Sequence, residues 1–300
     1  MVSSFATEKA AKKIVLESED DFASQPITNG SQGEHILLPI ANVENVEKLL
    51  ELAIFFKDKR SSNPVSVLSV VSNNDEAEVN ILRARNKLEE FVKQASASET
   101  KVNIITTIDH NAASGISRIS REIMADTIIL GWPERAGFID KLIGEKVDSI
   151  LNNTDKTTFI CHLEKPLVLH KRIVIATPPL AEHEYGFGLW FTKMEKLAQE
   201  LSIPIQVYCN DATQKTIEKL RAKAKLNAPI TIEPFSDWDD LLGLAKNIHQ
   251  DDIFVLVSAR KGANSYLNIM DNLPSKLEKH FSLNSRFVIY PQQFDSNRGA

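Results

Sequence analysis

Strand-like apolar runs alternate with amphipathic helical segments along this chain, and the alternation occurs twice. The first series begins at His35–Ala41 and closes at Thr157–Cys161, and the second begins at Lys171–Thr177 and closes at Arg286–Tyr290. Apolar, β-branched runs separated by helices are typical of parallel strands whose right-handed crossovers place helices on both faces of a sheet. The repeat indicates that one α/β unit is duplicated. A single barrel of eight or ten strands is the alternative, and the interruption at 164–171 counts against it.

The repeat predicts two α/β domains of the doubly wound, Rossmann-like kind, each a five-stranded parallel sheet with helices on both faces. We place the first domain at residues 35–164 and the second at 170–291. Residues 1–34 are polar and end in a cluster of turn-forming residues, so they are interpreted as a linker, and residues 292–300 are interpreted as a tail. A length of 300 residues with a hydrophobic fraction of 43% is sufficient for two cores.

Composition excludes several classes of protein. The net charge is −5 and no segment concentrates Lys and Arg, so nucleic-acid binding is not expected. The longest apolar runs, such as Leu49–Phe56, are shorter than the roughly 20 residues of a membrane span, and no signal sequence opens the chain. Cys161 and Cys209 lie far apart in strand-like runs. Two buried, chemically silent thiols in a reducing cytoplasm are therefore expected, rather than a disulfide or a metal pair.

A glycine-containing loop marks the first candidate cleft. The strand Ile128–Gly131 ends in this loop, and a helical pattern begins near Gly144. In open α/β sheets such a junction lies at the carboxyl ends of the strands, where ligands bind and helix amino termini attract anions. A plain strand-to-helix connection explains the same pattern equally well. The predicted cleft residues are Ala41, Asn42, Val71, Gly131, Trp132, Gly137, Gly144 and Glu145.

Five strands, four helices and a glycine loop after the fourth strand resemble the universal stress protein family. The resemblance is closer to a tandem version of this fold, the cytoplasmic tail of bacterial sodium/proton antiporters. In the first half it rests on 111–116, Ile129–Trp132, Asp140–Gly144 and 153–160. In the second half it rests on Lys171–Pro179, Ala181–Phe187, Trp190 and Leu197–Leu201.

This resemblance implies a regulatory module at the cytoplasmic side of a cation/proton antiporter, tethered to the inner face of the plasma membrane. Its partner would be the membrane-spanning portion of the same full-length chain, and residues 1–34 would leave the last membrane helix. A free-standing tandem universal stress protein that binds an adenine nucleotide is the alternative. A third alternative is an α/β enzyme of the adenine-nucleotide hydrolase type. The linker-like start favours the antiporter tail.

Nucleotide-binding members of the family carry Gly-x2-Gly-x9-Gly-Ser/Thr in the loop, because glycines let backbone N–H groups approach phosphate oxygens. Gly131 and Gly144 match the first and third glycines, whereas Glu134 replaces the second and Glu145 replaces the hydroxyl residue. Two carboxylates beside a polyphosphate add repulsion. Family members also usually end the first strand in aspartate, where this chain has Ala41. We expect no cofactor and no magnesium-ATP, while an adenine-containing ligand held differently stays open.

The second half predicts a weaker cleft, formed by Thr177, Ser258, Arg260 and Lys261. Thr177 stands at the position of Ala41, and Pro274 stands where Gly144 would be. Arg260 and Lys261 could hold an anion or belong to a solvated loop, and the solvated loop is favoured.

Catalytic motifs are missing from the sequence. The seven histidines form no His-Glu-x-x-His pair, and no Gly-x-Ser-x-Gly turn occurs, so neither metal-assisted nor serine-based hydrolysis has its parts. We predict no catalytic residues and no metal site, and interpret Asp251–Asp252 as a turn. The two halves are expected to pack through their last strands, Phe159–Cys161 and Phe287–Tyr290, as a pseudo-twofold unit. Homodimer formation stays open.

Overall fold

A computed structural model describes residues 33–40, 46–95, 100–132, 147–271 and 273–293. The first series of strands is β1 (Ile36–Pro39), β2 (Val65–Ser72), β3 (Val102–Asp109), β4 (Thr127–Gly131) and β5 (Thr157–His162). The second series is β6 (Arg172–Ala176), β7 (Ile205–Cys209), β8 (Ile230–Pro234), β9 (Asp252–Val257) and β10 (Ser285–Tyr290).

Helices connect the strands in both series. In the first they are α1 (Val46–Phe56), α2 (Ala77–Ala95), α3 (Ala112–Glu122) and α4, whose described part is residues 147–152. In the second they are α5 (Phe187–Leu201), α6 (Asp211–Ala224) and α7 (Leu273–His280), with 3-10 turns at Leu167–Leu169, Ala181–His183, Trp238–Asn247 and Asn268–Met270.

All ten strands form one sheet in the order β3-β2-β1-β4-β5-β10-β9-β6-β7-β8. The strands within each series are parallel, and β5 and β10 pair antiparallel at the centre, with Phe287 opposite Cys161 and Ile289 opposite Phe159. The predicted α/β fold of two tandem five-stranded units is confirmed, and the two units share a continuous sheet.

The antiparallel pair fixes where the two candidate clefts lie. The carboxyl ends of β1–β5 point to one edge of the sheet, and those of β6–β10 point to the opposite edge. A ligand in the first cleft and a ligand in the second would therefore bind at opposite edges of the molecule.

Each face of the sheet carries one apolar cluster that includes residues of both series. One cluster joins Phe56 and Phe159 of the first series to Phe191 of the second. The other joins Trp132 to Phe254 and to further residues of the second series. Burying apolar area across the junction stabilises the two series as one body.

Both cysteines are buried free thiols, as the sequence predicts. Burial raises the pKa of Cys161 and raises that of Cys209 to about 12. Neither thiol is a reactive thiolate near neutral pH.

Two elements of the second series differ from the sequence-based expectation. Apolar residues at helical spacing predict a helix over Trp238–His249, whereas the structure has a kinked stretch of 3-10 turns that ends at Asn247. The kink lies at Asp240, whose φ of −101° and ψ of 34° are not helical, and the Asp237 side chain caps the stretch by accepting a hydrogen bond from the Asp240 backbone N–H. Helix α6 is absent from the predicted pattern because it buries only Thr213 and Ile217, which gives too weak an apolar stripe to recognise.

Gly186 packs against the backbone at the end of β10. Its N–H donates to the Gln292 carbonyl at 3.0 Å, and the Gln292 N–H donates to Thr157 Oγ1 at 3.1 Å. A Cβ atom at residue 186 would lie 2.3 Å from the Gln292 nitrogen. Glycine is therefore required where the start of α5, the end of β10 and the start of β5 meet.

We predict that Gly186→Ala lowers the free energy of unfolding by about 1–3 kcal/mol, because the added methyl group forces the backbone at Gln292 to move. Gly188→Ala is the matched control. A Cβ there would meet only Leu220 Cδ1 at 3.9 Å, so this variant should be neutral or more stable by up to about 1 kcal/mol. Urea unfolding measures both, and equal effects at the two positions would contradict the close packing at Gly186.

Candidate functional site

The described part of the first cleft lies at the carboxyl ends of β2 and β4. Val71 is half-buried near the end of β2, and Gly131 ends β4 two strands away in the same parallel set. A Cβ atom at Gly131 would lie 3.1 Å from Leu49 Cδ1 of α1. The other predicted cleft residues, Ala41, Asn42, Gly137, Gly144 and Glu145, lie outside the described residues, as does Glu134.

Trp132 follows β4 and is only 9% exposed. The guanidinium carbon of Arg286, at the start of β10, lies 4.7 Å from the centroid of the Trp132 ring, a cation–π distance. Among the described residues, no acceptor lies within hydrogen-bonding distance of the buried indole Nε1. One ring face is thus covered by the other series.

Two of the residues predicted for the second cleft, Thr177 and Ser258, are buried, and their backbone N–H groups are hydrogen-bonded. The Thr177 N–H donates to the Tyr208 carbonyl at 3.0 Å, and the Ser258 N–H donates to the Ile289 carbonyl at 2.8 Å. Both side chains are almost wholly buried. They extend the sheet beyond β6 and β9 rather than lining an exposed surface.

Hydrogen bonds join the loop after β6 to the loop after β9, beyond the carboxyl ends of these neighbouring strands. Glu184 Oε1 accepts hydrogen bonds from the backbone N–H and the hydroxyl of Ser265, both at 2.8 Å. In the same loop, Glu182 Oε2 accepts from Thr213 Oγ1 at 2.7 Å. Both carboxylates are buried. These bonds close the place where a doubly wound sheet usually binds its ligand, and no motif in the sequence indicates them.

Arg260, predicted to hold an anion or to belong to a solvated loop, lies against the main chain of the first series and of the end of β10. Its guanidinium donates to three main-chain carbonyls, those of Leu151 (3.4 Å), Lys156 (2.7 Å) and Pro291. Burial lowers its pKa to about 10. Arg260 thus joins the loop after β9 to the segment before β5 of the first series. Lys261 beside it is exposed, and its Nζ lies 3.6 Å from Asp271.

We predict that Arg260→Met lowers the free energy of unfolding by about 2–4 kcal/mol, because buried carbonyls lose their donor. Lys261→Met removes the same charge one residue later from a side chain that is 76% exposed, and should change stability by less than about 0.5 kcal/mol. Urea denaturation of both variants measures the difference. Stabilisation of the wild-type protein by phosphate that is lost in Arg260→Met would instead support an anion site.

A half-buried histidine precedes β1 and a buried histidine precedes β6. His35 Nε2 lies 2.9 Å from Ser66 Oγ, and His170 Nε2 lies 2.8 Å from Ser285 Oγ. Burial lowers the pKa of both imidazoles. They occupy corresponding places before β1 and β6, in keeping with structural roles.

Within the described ranges, one group has three potential metal ligands close together: His249, Asp251 and Asp252. The carboxylate of Asp252 is held by Arg172 through bonds of 3.0 and 2.6 Å, and Asp251 pairs with Lys171 at 3.0 Å. These two cations already neutralise the acidic pair.

Comparison with known proteins finds a family that matches the first series of strands. Residues 33–162 match the model of the universal stress protein family. The resemblance inferred from the sequence is confirmed for this part of the chain.

The resemblance to an antiporter is also confirmed, over a limited length. The chain is 29% identical over 122 residues to the Na(+)/H(+) antiporter NhaS5 of Synechocystis sp. (strain ATCC 27184 / PCC 6803 / Kazusa). The aligned region covers 38% of this chain and 17% of the antiporter. In the described part of this chain, no helix has the length and apolar character of a membrane span.

Solved structures share the fold over nearly the whole chain. A universal stress protein from Archaeoglobus fulgidus DSM 4304 aligns with a TM-score of 0.58 and 16% identity, covering 87% of this chain and 97% of that one. The cytoplasmic domain of a prokaryotic cation chloride cotransporter aligns with a TM-score of 0.53 and 11% identity, covering 87% and 96%. At such identities the likeness establishes the tandem fold.

Proposed function

We propose that this chain is the cytoplasmic regulatory part of a cation/proton antiporter, and that it senses a small ligand or a partner instead of catalysing a reaction. The observation that carries the proposal is the sequence similarity to a Na(+)/H(+) antiporter. The shared fold with the cytoplasmic domain of another ion transporter supports it. The partner is then the membrane-spanning portion of the full-length chain, and the protein is tethered to the inner face of the plasma membrane.

The proposed domains are residues 35–164 and 170–291, with 1–34 as the connection to the membrane portion and 292–300 as a tail. We propose that they form a pseudo-twofold pair through β5 and β10, supported by the antiparallel register of these strands. Two contacts across the junction favour the same symmetry. Arg260, beyond the fourth strand of the second series, reaches the segment before β5, and Arg286 at the start of β10 reaches Trp132, beyond the fourth strand of the first series. A homodimer of such units is a further proposal.

We place the sensing cleft in the first domain. The second cleft is a poor candidate, because Glu184 closes it onto Ser265 and Arg260 is committed to carbonyls. In the first, Trp132 follows β4 at the carboxyl edge of the strands, where ligands bind in open α/β sheets. Effective regulation requires a ligand that binds one arrangement of the transporter better than another, since only differential affinity shifts an equilibrium.

We predict that millimolar magnesium-ATP leaves the melting temperature essentially unchanged, because Glu134 and Glu145 repel a polyphosphate. A ligand present at 100 times its Kd would add about 2.7 kcal/mol of stability. The double variant Glu134→Gly, Glu145→Ser restores the family motif in sequence and should gain an ATP-dependent shift. A shift of several degrees in the wild-type protein would contradict the assigned role of these carboxylates.

The regulatory role is tested in the full-length exchanger, in everted membrane vesicles. Deleting residues 33–293 should leave cation-driven proton flux measurable while changing its dependence on cation concentration or pH. Arg260→Met in the intact exchanger should shift the same dependence in the same direction, and Lys261→Met is its control. Abolished flux with normal membrane insertion would indicate a part of the transport machinery instead of a regulator.

The genomic reading frame upstream of Met1 distinguishes the antiporter proposal from the alternative of a free-standing tandem universal stress protein. The antiporter proposal requires some ten or more apolar segments of about 20 residues there. Mass spectrometry of small molecules that survive native purification identifies the ligand without assuming its class.

A further inference from the structure

We propose that a buried ion pair between Glu34 and Lys193 clamps the start of β1 to helix α5, so that a displacement of α5 reaches the segment that precedes β1. This inference goes beyond the proposed function, because it concerns a contact within the chain and does not depend on attachment to a transporter. We call Glu34, Phe56, Asp58 and Lys193 the N-terminal clamp.

The clamp joins three segments. Glu34 lies two residues before β1, and its Oε1 contacts the ammonium group of Lys193 on α5. The other carboxylate oxygen accepts the Asp58 backbone N–H at 2.7 Å, and Lys193 Nζ donates to the Phe56 carbonyl at 2.7 Å. The end of α1 is thus bridged both to the start of the first series and to the second series.

Burial makes this contact costly to break. The side chains of Glu34 and Lys193 are 3% and 7% exposed. Separating the two groups while they stay buried would leave an uncompensated charge on each side, which is strongly unfavourable. A partial opening is therefore disfavoured, and the clamp should either hold or release as a unit.

Two neighbouring contacts also join α5 to the residues that follow α1, closer to the surface. Lys196, one turn along α5, donates to the Lys57 carbonyl, and Lys59 pairs with Glu200 at 2.7 Å. The Lys59 side chain is 79% exposed, so its pair contributes little. Loss of the buried Glu34–Lys193 pair should therefore destabilise this interface more than loss of the exposed pair.

The position of the clamp couples the start of β1 to the second series. Residues preceding β1 lie at the edge that carries the carboxyl ends of β6–β10, whereas the first cleft lies at the opposite edge. The segment leading into β1 is therefore coupled through Lys193 to the second series. A rearrangement of α5 would change the restraint on this segment.

Hydrogen–deuterium exchange on the 300-residue protein tests the clamp. In Lys193→Met and in Glu34→Gln, exchange at residues 33–36 should rise about tenfold or more, while the amides of β5 and β10 stay unchanged. Lys59→Ala removes the exposed pair beside the clamp and should leave all of these rates unchanged. In the double variant the increase should be no larger than in Lys193→Met alone, because both changes break the same contact.

A uniform increase across the sheet, or no increase at residues 33–36, would overturn the proposal. If Lys193→Met does not fold, Glu34→Gln remains decisive, since the glutamine amide keeps the size of the side chain and can still accept from the Asp58 N–H. Either outcome is independent of whether the chain regulates an antiporter.

Discussion

The antiparallel pairing of β5 with β10 is the contact on which the rest of the structure depends. It turns two five-stranded sheets into one, sets the two series of carboxyl ends at opposite edges, and lets one apolar cluster run across each face. It also brings each series within reach of the other, so that Arg286 covers Trp132 and Arg260 meets the Lys156 carbonyl. The two halves therefore complete each other at the places where a single domain would keep a ligand cleft.

Much of the fold could be predicted from the sequence because its strands are continuous apolar runs. Strands such as β6, β9 and β10 are buried along nearly their whole length, and this leaves a clear signal between helices. Helix α6 buries few residues, and Trp238–Asn247 is kinked at Asp240, whose backbone angles are not helical. The apolar stripe is therefore too weak to indicate α6, and in Trp238–Asn247 the buried Trp238, Leu241 and Leu244 indicate a helical element without revealing its kink.

The candidate site was harder to predict, for a physical reason. A basic residue after a strand is equally consistent with a ligand contact and with solvent exposure, whereas the true partners of Arg260 include carbonyls 104 and 109 residues away. Glu184 and Lys193 pose the same problem, since their partners are set by the packing of distant segments. Glycine spacing does identify the loop after β4, and the same spacing locates the two glutamates that argue against a polyphosphate.

The central strand pair also explains why the duplicated unit would remain one polypeptide. Alone, either half would present Thr157–His162 or Ser285–Tyr290 as a bare outer strand, apolar along most of its length and with open main-chain hydrogen bonds. Such edges recruit other chains and promote aggregation. A covalent link supplies the complementary strand at high effective concentration during synthesis, so fusion of the halves protects the protein from self-association as well as stabilising its fold.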